Sequence, residues 1–249
     1  MALLTFQRLF LALRLCPLAR LCATRKGYLP AKETINAAER AGLPVCQYVE
    51  KLWDQVGDTE KVVDQISALG ALDLASPAIL EIGAGTGRYL ERVLAKNRPL
   101  YYESYETATD WADYLSARYG ILSRQADGVS LSATADGSVD FLHAHGVFVY
   151  LSFLNALRYF REIFRVLRTG GFVVFDIYSE ACFDDEAVNA WLMSGHDYPC
   201  FLSREYVATL FLRHGFTLVG SFFHAHGAGR SEYLVFRRLP QADRAGSIL

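Results

Sequence analysis

The sequence is poor in cysteine. There are five in 249 residues, at positions 16, 22, 46, 182 and 200, an odd number with no C-x-x-C pair. Scattered single cysteines build neither a disulfide framework nor a zinc ribbon, and a reducing, cytoplasmic setting suits them. A basic excess is missing as well. Lysine and arginine number 25 against 27 acids, a formal charge of −2, so a duplex-gripping protein would have no charge surplus to work with and no nucleic-acid partner is expected. No apolar run approaches the roughly 20 residues of a membrane span. Near the start, Arg8, Arg14 and Arg20 leave only five residues between one another. Internal repeats and low-complexity tracts are absent. With 52% apolar and 21% charged residues, the chain has the make-up of one globular domain with an appended segment.

Acids are absent from residues 1–32, which hold six bases, so the remainder carries 19 bases against 27 acids. At helical spacing Leu3, Phe6, Leu9, Phe10 and Leu13 share one face, with Gln7, Arg8 and Arg14 opposite, and Pro17 should end that helix near Cys16. Three readings stay open for residues 1–26: peripheral contact with an anionic membrane surface, an organelle presequence, or a terminal helix packed on the fold. A cleavable secretory signal fits poorly, because Arg14 interrupts the apolar stretch. The oligomeric state is not legible.

From Leu29 to about Leu74 the sequence reads helical, with Gly42 and Gly57 as stops. Beyond Ala78, strand-like runs alternate with helical stretches. Strands are expected at Ala78–Ile82, Leu100–Tyr105, Ile121–Arg124, Val139–Ala144, Gly171–Ile177, Phe216–His224 and Glu232–Arg237. The alternation predicts an α/β fold, a doubly wound, mostly parallel seven-stranded sheet with helices on both faces. The link before the last strand is too short for a crossover helix, so that strand should run antiparallel. The resulting division is a basic segment (1–27), a helical cap (28–75), a ligand-binding domain (76–239) and a tail (240–249).

The most informative stretch is Glu81-Ile82-Gly83-Ala84-Gly85-Thr86-Gly87-Arg88, a buried strand running into a glycine loop and then a helix. Such a loop admits a ligand close to the main chain, and the helix start offers unpaired N–H groups. A dinucleotide fingerprint would need glycine at position 88, where the chain has Arg88, so the spacing is G-x-G-x-G.

In these residues the sequence resembles the class I, Rossmann-like S-adenosylmethionine-dependent methyltransferases over roughly residues 78–238. The resemblance implies the strand order 3-2-1-4-5-7-6 and S-adenosyl-L-methionine as cofactor. It assigns Glu81, Gly83, Ala84, Gly85 and Gly87 to the cofactor loop and Glu106, with Glu103 as fallback, to the ribose hydroxyls. Ala126 and Asp127 fall to the adenine. The lead-ins Asp136–Phe141 and Leu167–Phe172 also match the family.

On the fourth strand His143 and His145 face one side, and His145 lies nearer the carboxyl end, where open α/β sheets bind ligands. His145 is therefore a candidate both for lining the cofactor pocket and for taking the acceptor's proton. Tyr150, Tyr178 and His196 are further catalytic candidates, with Asp176 and Tyr198 beside them. The tetrapeptide His-Ala-His-Gly occurs at 143–146 and again at 224–227. A shared metal is not expected, because the implied strand order separates strands four and six. Neither an Asn/Asp-Pro-Pro-Tyr run nor a suitably placed Pro-Cys follows strand four, which counts against base methylation. A small-molecule or glycan acceptor methylated on a hydroxyl oxygen is the favoured expectation. The alternatives are a nicotinamide-dependent oxidoreductase and a non-catalytic module keeping the same fold.

Overall fold

A computed structural model describes residues 29–53, 55–194 and 199–240. The expected basic helix of residues 1–26, His196, Tyr198 and the tail beyond residue 240 lie outside the described residues. Among the described residues no helix is long and apolar enough to cross a membrane. Two compact units divide between Val56 and Gly57.

The described part of the first unit is a pair of helices. Helix α1, Ala31–Arg40, starts after Pro30, whose carbonyl accepts the Thr34 hydroxyl at 2.7 Å. It stops at Gly42, where the N–H groups of Gly42 and Leu43 turn back to the carbonyls of Glu39 and Ala38. Helix α2, Val45–Leu52, follows Pro44.

The second unit begins with α3, Asp58–Ala68, which the sequence reading had grouped with the cap. The reason is packing: Val62, Val63 and Ile66 are buried in one cluster with Ile79, Tyr89, Phe141 and Tyr233 of the sheet unit. The remaining elements are β1 (Ala78–Ile82), α4 (Arg88–Lys96), β2 (Tyr101–Glu106), α5 (Thr109–Tyr119), β3 (Leu122–Gln125), β4 (Val139–Ala144), α6 (Phe153–Val166), β5 (Leu167–Ile177), α7 (Asp185–Ser194), α8 (Arg204–Arg213), β6 (Phe216–His226) and β7 (Gly229–Arg238).

The sheet order is β3-β2-β1-β4-β5-β7-β6. Strands β1 to β5 pair in parallel, and β7 is antiparallel to both β5 and β6. Every residue of β1 is buried, as a central strand covered on both faces requires. Successive residues supply opposite cores: Leu80, Leu142 and Phe175 pack with Phe160 and Phe211 of α6 and α8. Ile79, Phe141 and Val174 pack with α3 and α4 on the other face.

One connection is tighter than the sequence suggests. The strands flanking the last turn keep pairing through His226↔Gly229, so the link shrinks to Gly227 and Ala228. Gly227 has φ +60, and a Cβ there would lie 2.3 Å from the Trp191 ring. The hairpin tip is therefore pinned on α7 beside the carboxyl end of β5.

Candidate active site

The glycine loop leaves β1 at the carboxyl edge of the sheet, and its main chain is held from the side. The Gly83 N–H donates to the Tyr105 carbonyl at 2.8 Å, and the Gly85 N–H donates to Glu106 Oε2 at 2.7 Å. Gly83 has φ +70, and a Cβ there would come within 2.8 Å of Val147. At Gly85, with φ +53, an added Cβ would meet nothing within 4 Å, so this point of the loop faces open space. Ala84 is buried, and its carbonyl accepts the Gly87 N–H at 2.9 Å, which closes the turn into α4.

Strand alternation separates the two acids of β2. Glu106 reaches the loop, and its Oε1 also accepts the Ala108 N–H at 2.9 Å. Glu103 points to the other face, where it pairs with Arg124 at 2.8 Å and accepts the Thr134 hydroxyl at 2.9 Å. Ala126 joins the loop region through its N–H, which donates to the Glu106 carbonyl at 3.1 Å. Asp127 is exposed and serves its own turn, accepting the N–H groups of Val129 and Ser130 and the Ser130 hydroxyl. Those bonds hold its carboxyl below the usual carboxylate range.

Glu81 lies beneath the loop, 1% exposed. The Tyr102 hydroxyl bonds both Glu81 Oε2, at 2.6 Å, and His143 Nε2, at 2.7 Å. His143 Nδ1 is 3.0 Å from His145 Nε2, and His145 Nδ1 is 3.2 Å from the Tyr233 hydroxyl. Tyr233 in turn meets the Tyr89 hydroxyl at 3.3 Å, and the Tyr89 ring stacks on His145 at 3.6 Å. Burial pushes the Glu81 carboxyl up to about 8, opposed by the Tyr102 bond and reinforced by the charge of Glu106. Burial lowers His143 to about 3 and holds His145 well below its ordinary value, so both imidazoles are neutral at physiological pH.

Among the described residues Glu81, His143 and His145 are the group of three whose donor atoms lie within 4.8 Å of one another. The two imidazoles bond each other, and Glu81 Oε2 accepts the Tyr102 hydroxyl. The three residues belong to one hydrogen-bonded chain that also takes in Tyr102 and Tyr233.

A second cluster stands at the carboxyl ends of β4 and β5. The Tyr178 hydroxyl lies 2.6 Å from His226 Nδ1, and the Tyr150 ring centre is 5.9 Å from that of His226. A Cβ on Gly146 would sit 3.5 Å from His226 Nε2. The two His-Ala-His-Gly segments thus meet, although two strands, β5 and β7, lie between theirs. The hairpin tip overhangs the sheet edge, which strand order alone does not reveal. Asp176 is fully buried; its Oδ1 accepts the Gly146 N–H at 2.7 Å, while its Oδ2 has no hydrogen-bond partner among the described residues. A groove lined by Asp136, Phe164, Arg168 and Arg238 opens at the opposite edge of the sheet, away from the glycine loop.

Tyr89, Tyr102 and Tyr233 were not singled out from the sequence. They come from α4, β2 and β7, and only cross-strand packing brings them to the histidines.

Comparison with known proteins bears on this geometry. A family model described as a methyltransferase domain matches residues 53–221, more than half of the chain. No curated protein matches. Among solved structures, magnesium protoporphyrin IX methyltransferase from Synechocystis PCC 6803 with bound SAH is similar at TM-score 0.57 and 11% identity, covering 78% of this chain and 85% of that one. N-methyltransferase NodS from Bradyrhizobium japonicum WM9, in complex with S-adenosyl-L-homocysteine, is similar at TM-score 0.53 and 19% identity, covering 72% and 86%. An O-methyltransferase family protein from Burkholderia thailandensis is similar at TM-score 0.56 and 15% identity, covering 79% and 60%.

Proposed function

We propose that this chain, which belongs to the methyltransferase-domain family, transfers the methyl group of S-adenosylmethionine to a hydroxyl oxygen of a small-molecule or glycan acceptor. When bound, the cofactor supplies an electrophilic methyl on a sulfonium, so the protein's task is to align the acceptor and accommodate its proton. Open space at Gly85 beside the held carboxylate of Glu106 fits the cofactor. Glu106 would take the ribose hydroxyls, and the loop Gly83-Ala84-Gly85-Thr86-Gly87 would carry the amino-acid part above Glu81. Ala126 and Asp127 would border the adenine, and His145 would close the pocket from β4.

The observation that carries the acceptor reading is the Oδ2 of Asp176, which has no hydrogen-bond partner among the described residues. A buried carboxylate oxygen without a donor is costly, and a ligand hydroxyl would satisfy it beside Tyr150, Tyr178 and His226. His226, which bonds the Tyr178 hydroxyl, joins the sequence candidates Asp176, Tyr150 and Tyr178 there. Methyl-labelled S-adenosylmethionine incubated with the protein and a panel of sugars and phenols tests the proposal. Label in a hydroxyl-bearing acceptor supports it; label only in protein or RNA overturns it. In calorimetry S-adenosylhomocysteine should bind and NAD should not, which separates this reading from an oxidoreductase. Failure to bind either would favour the non-catalytic module.

A further inference from the structure

The buried chain of Tyr89, Tyr233, His145, His143, Tyr102 and Glu81 runs without a gap from α4 to β1. Its five contacts measure 3.3, 3.2, 3.0, 2.7 and 2.6 Å. Each tyrosine hydroxyl can donate once while accepting, and a neutral imidazole donates from one nitrogen and accepts at the other. Two arrangements point all five bonds the same way. With Glu81 as carboxylate, every proton points toward it: Tyr89 donates to Tyr233, Tyr233 to His145 Nδ1, His145 Nε2–H to His143 Nδ1, His143 Nε2–H to Tyr102, and Tyr102 to Glu81 Oε2. With Glu81 protonated on Oε2, the oxygen that meets Tyr102, every bond reverses, and both histidines carry the proton on Nδ1.

We infer that these six residues form a proton relay, in which a proton arriving at Tyr89 shifts each proton one place along and leaves one on Glu81. The balance closes: one proton enters, five move between neighbours, and one O–H bond forms on the Glu81 carboxylate. No other atom changes its bonding. Tyr89, at the outer end, is 8% exposed, whereas His143 at the centre is fully buried. The groups facing the relay are Arg88 beside Tyr89, Asp176 toward Tyr89 and Tyr233, His224 toward His145, and Glu106 toward Glu81. None of these groups changes its protonation in the shift; the proton taken up neutralises the Glu81 carboxylate. Below about pH 8 Glu81 already holds its proton, so the relay carries one inward from Tyr89 only where Glu81 has ionised, and outward to Tyr89 when Glu81 releases it. This makes His145 a positioning residue in the relay, both of its nitrogens being engaged.

Long-range proton–nitrogen NMR of the full chain labelled with ¹⁵N-histidine tests this without any acceptor, so it can fail or succeed independently of the methylation reading. The expected result is that His143 and His145 exchange the Nδ1–H for the Nε2–H form together, in one transition, as Glu81 loses its proton near pH 8. Glu81→Gln should abolish that transition. Tyr102→Phe should uncouple both histidines from Glu81 while the protein remains folded. Fixed tautomers between pH 6 and 10, separate transitions, or a joint switch that survives Tyr102→Phe would each overturn the relay.

Discussion

Replacing Glu81 by glutamine keeps the shape and an acceptor for the Tyr102 hydroxyl while removing the titrating proton. The native carboxyl sits at about 8 against an ordinary 4.5, mainly through burial. Between those values the unfolded chain has released the proton and the folded one still holds it, so the native state binds more protons and stability falls as pH rises. Below 4.5 both states are protonated and nothing is lost; above 8 the full penalty is present. At about 1.4 kcal/mol for each pH unit, wild type should lose about 4 kcal/mol relative to Glu81→Gln between pH 5 and pH 8. Every other titrating group is common to both proteins and cancels to first order. Urea unfolding of the pair at pH 5, 6.5 and 8 reads the difference directly, because the gap in midpoint multiplied by the slope is the free-energy gap. A gap that stays constant over that range would refute the buried, proton-holding state of Glu81.

Three further outcomes follow from the geometry. Glu106→Ala should weaken S-adenosylhomocysteine binding by about 1–3 kcal/mol, the scale of a hydrogen bond to a charged group left unmade. Glu103→Ala should leave that binding intact and lower the melting temperature instead; calorimetry showing the reverse would exchange the two roles. Asp176→Ala should abolish methyl transfer to the acceptor while S-adenosylhomocysteine binds as before, and retained transfer would remove Asp176 from the acceptor side. Gly227→Ala forces a Cβ to within 2.3 Å of Trp191 and should destabilise by about 1–3 kcal/mol, measured by thermal unfolding; an unchanged melting temperature would place the hairpin tip elsewhere.

Much of the fold was legible because its signals are local. The bounds of β1 and β4 agree with the sequence reading to the residue, since buried parallel strands read as continuous apolar runs. The antiparallel seventh strand followed from a connection too short to cross the sheet. The third helix was assigned to the wrong neighbour because its stripe of Val62, Val63 and Ile66 shows that it packs, but not against what. The hairpin was drawn too loose because pairing near a turn depends on the partner strand. Between the two acids of β2, the family resemblance put Glu106 before Glu103. What the strand itself shows is alternation, which turns Glu106 to the loop and Glu103 to Arg124.

The layered α/β architecture, the glycine loop, the acid two residues before it and the pair of histidines on β4 could all be read along the chain. These depend on order along the chain, which periodicity and turn chemistry report. Folding in three dimensions was needed to show that Tyr102 and Tyr233 flank those histidines, that His226 returns to Gly146, and that Asp176 keeps an oxygen without a partner among the described residues. Each of these joins residues from different strands or loops, and which atoms meet there is set by register, twist and the reach of a hairpin, quantities that no local stretch of the chain encodes.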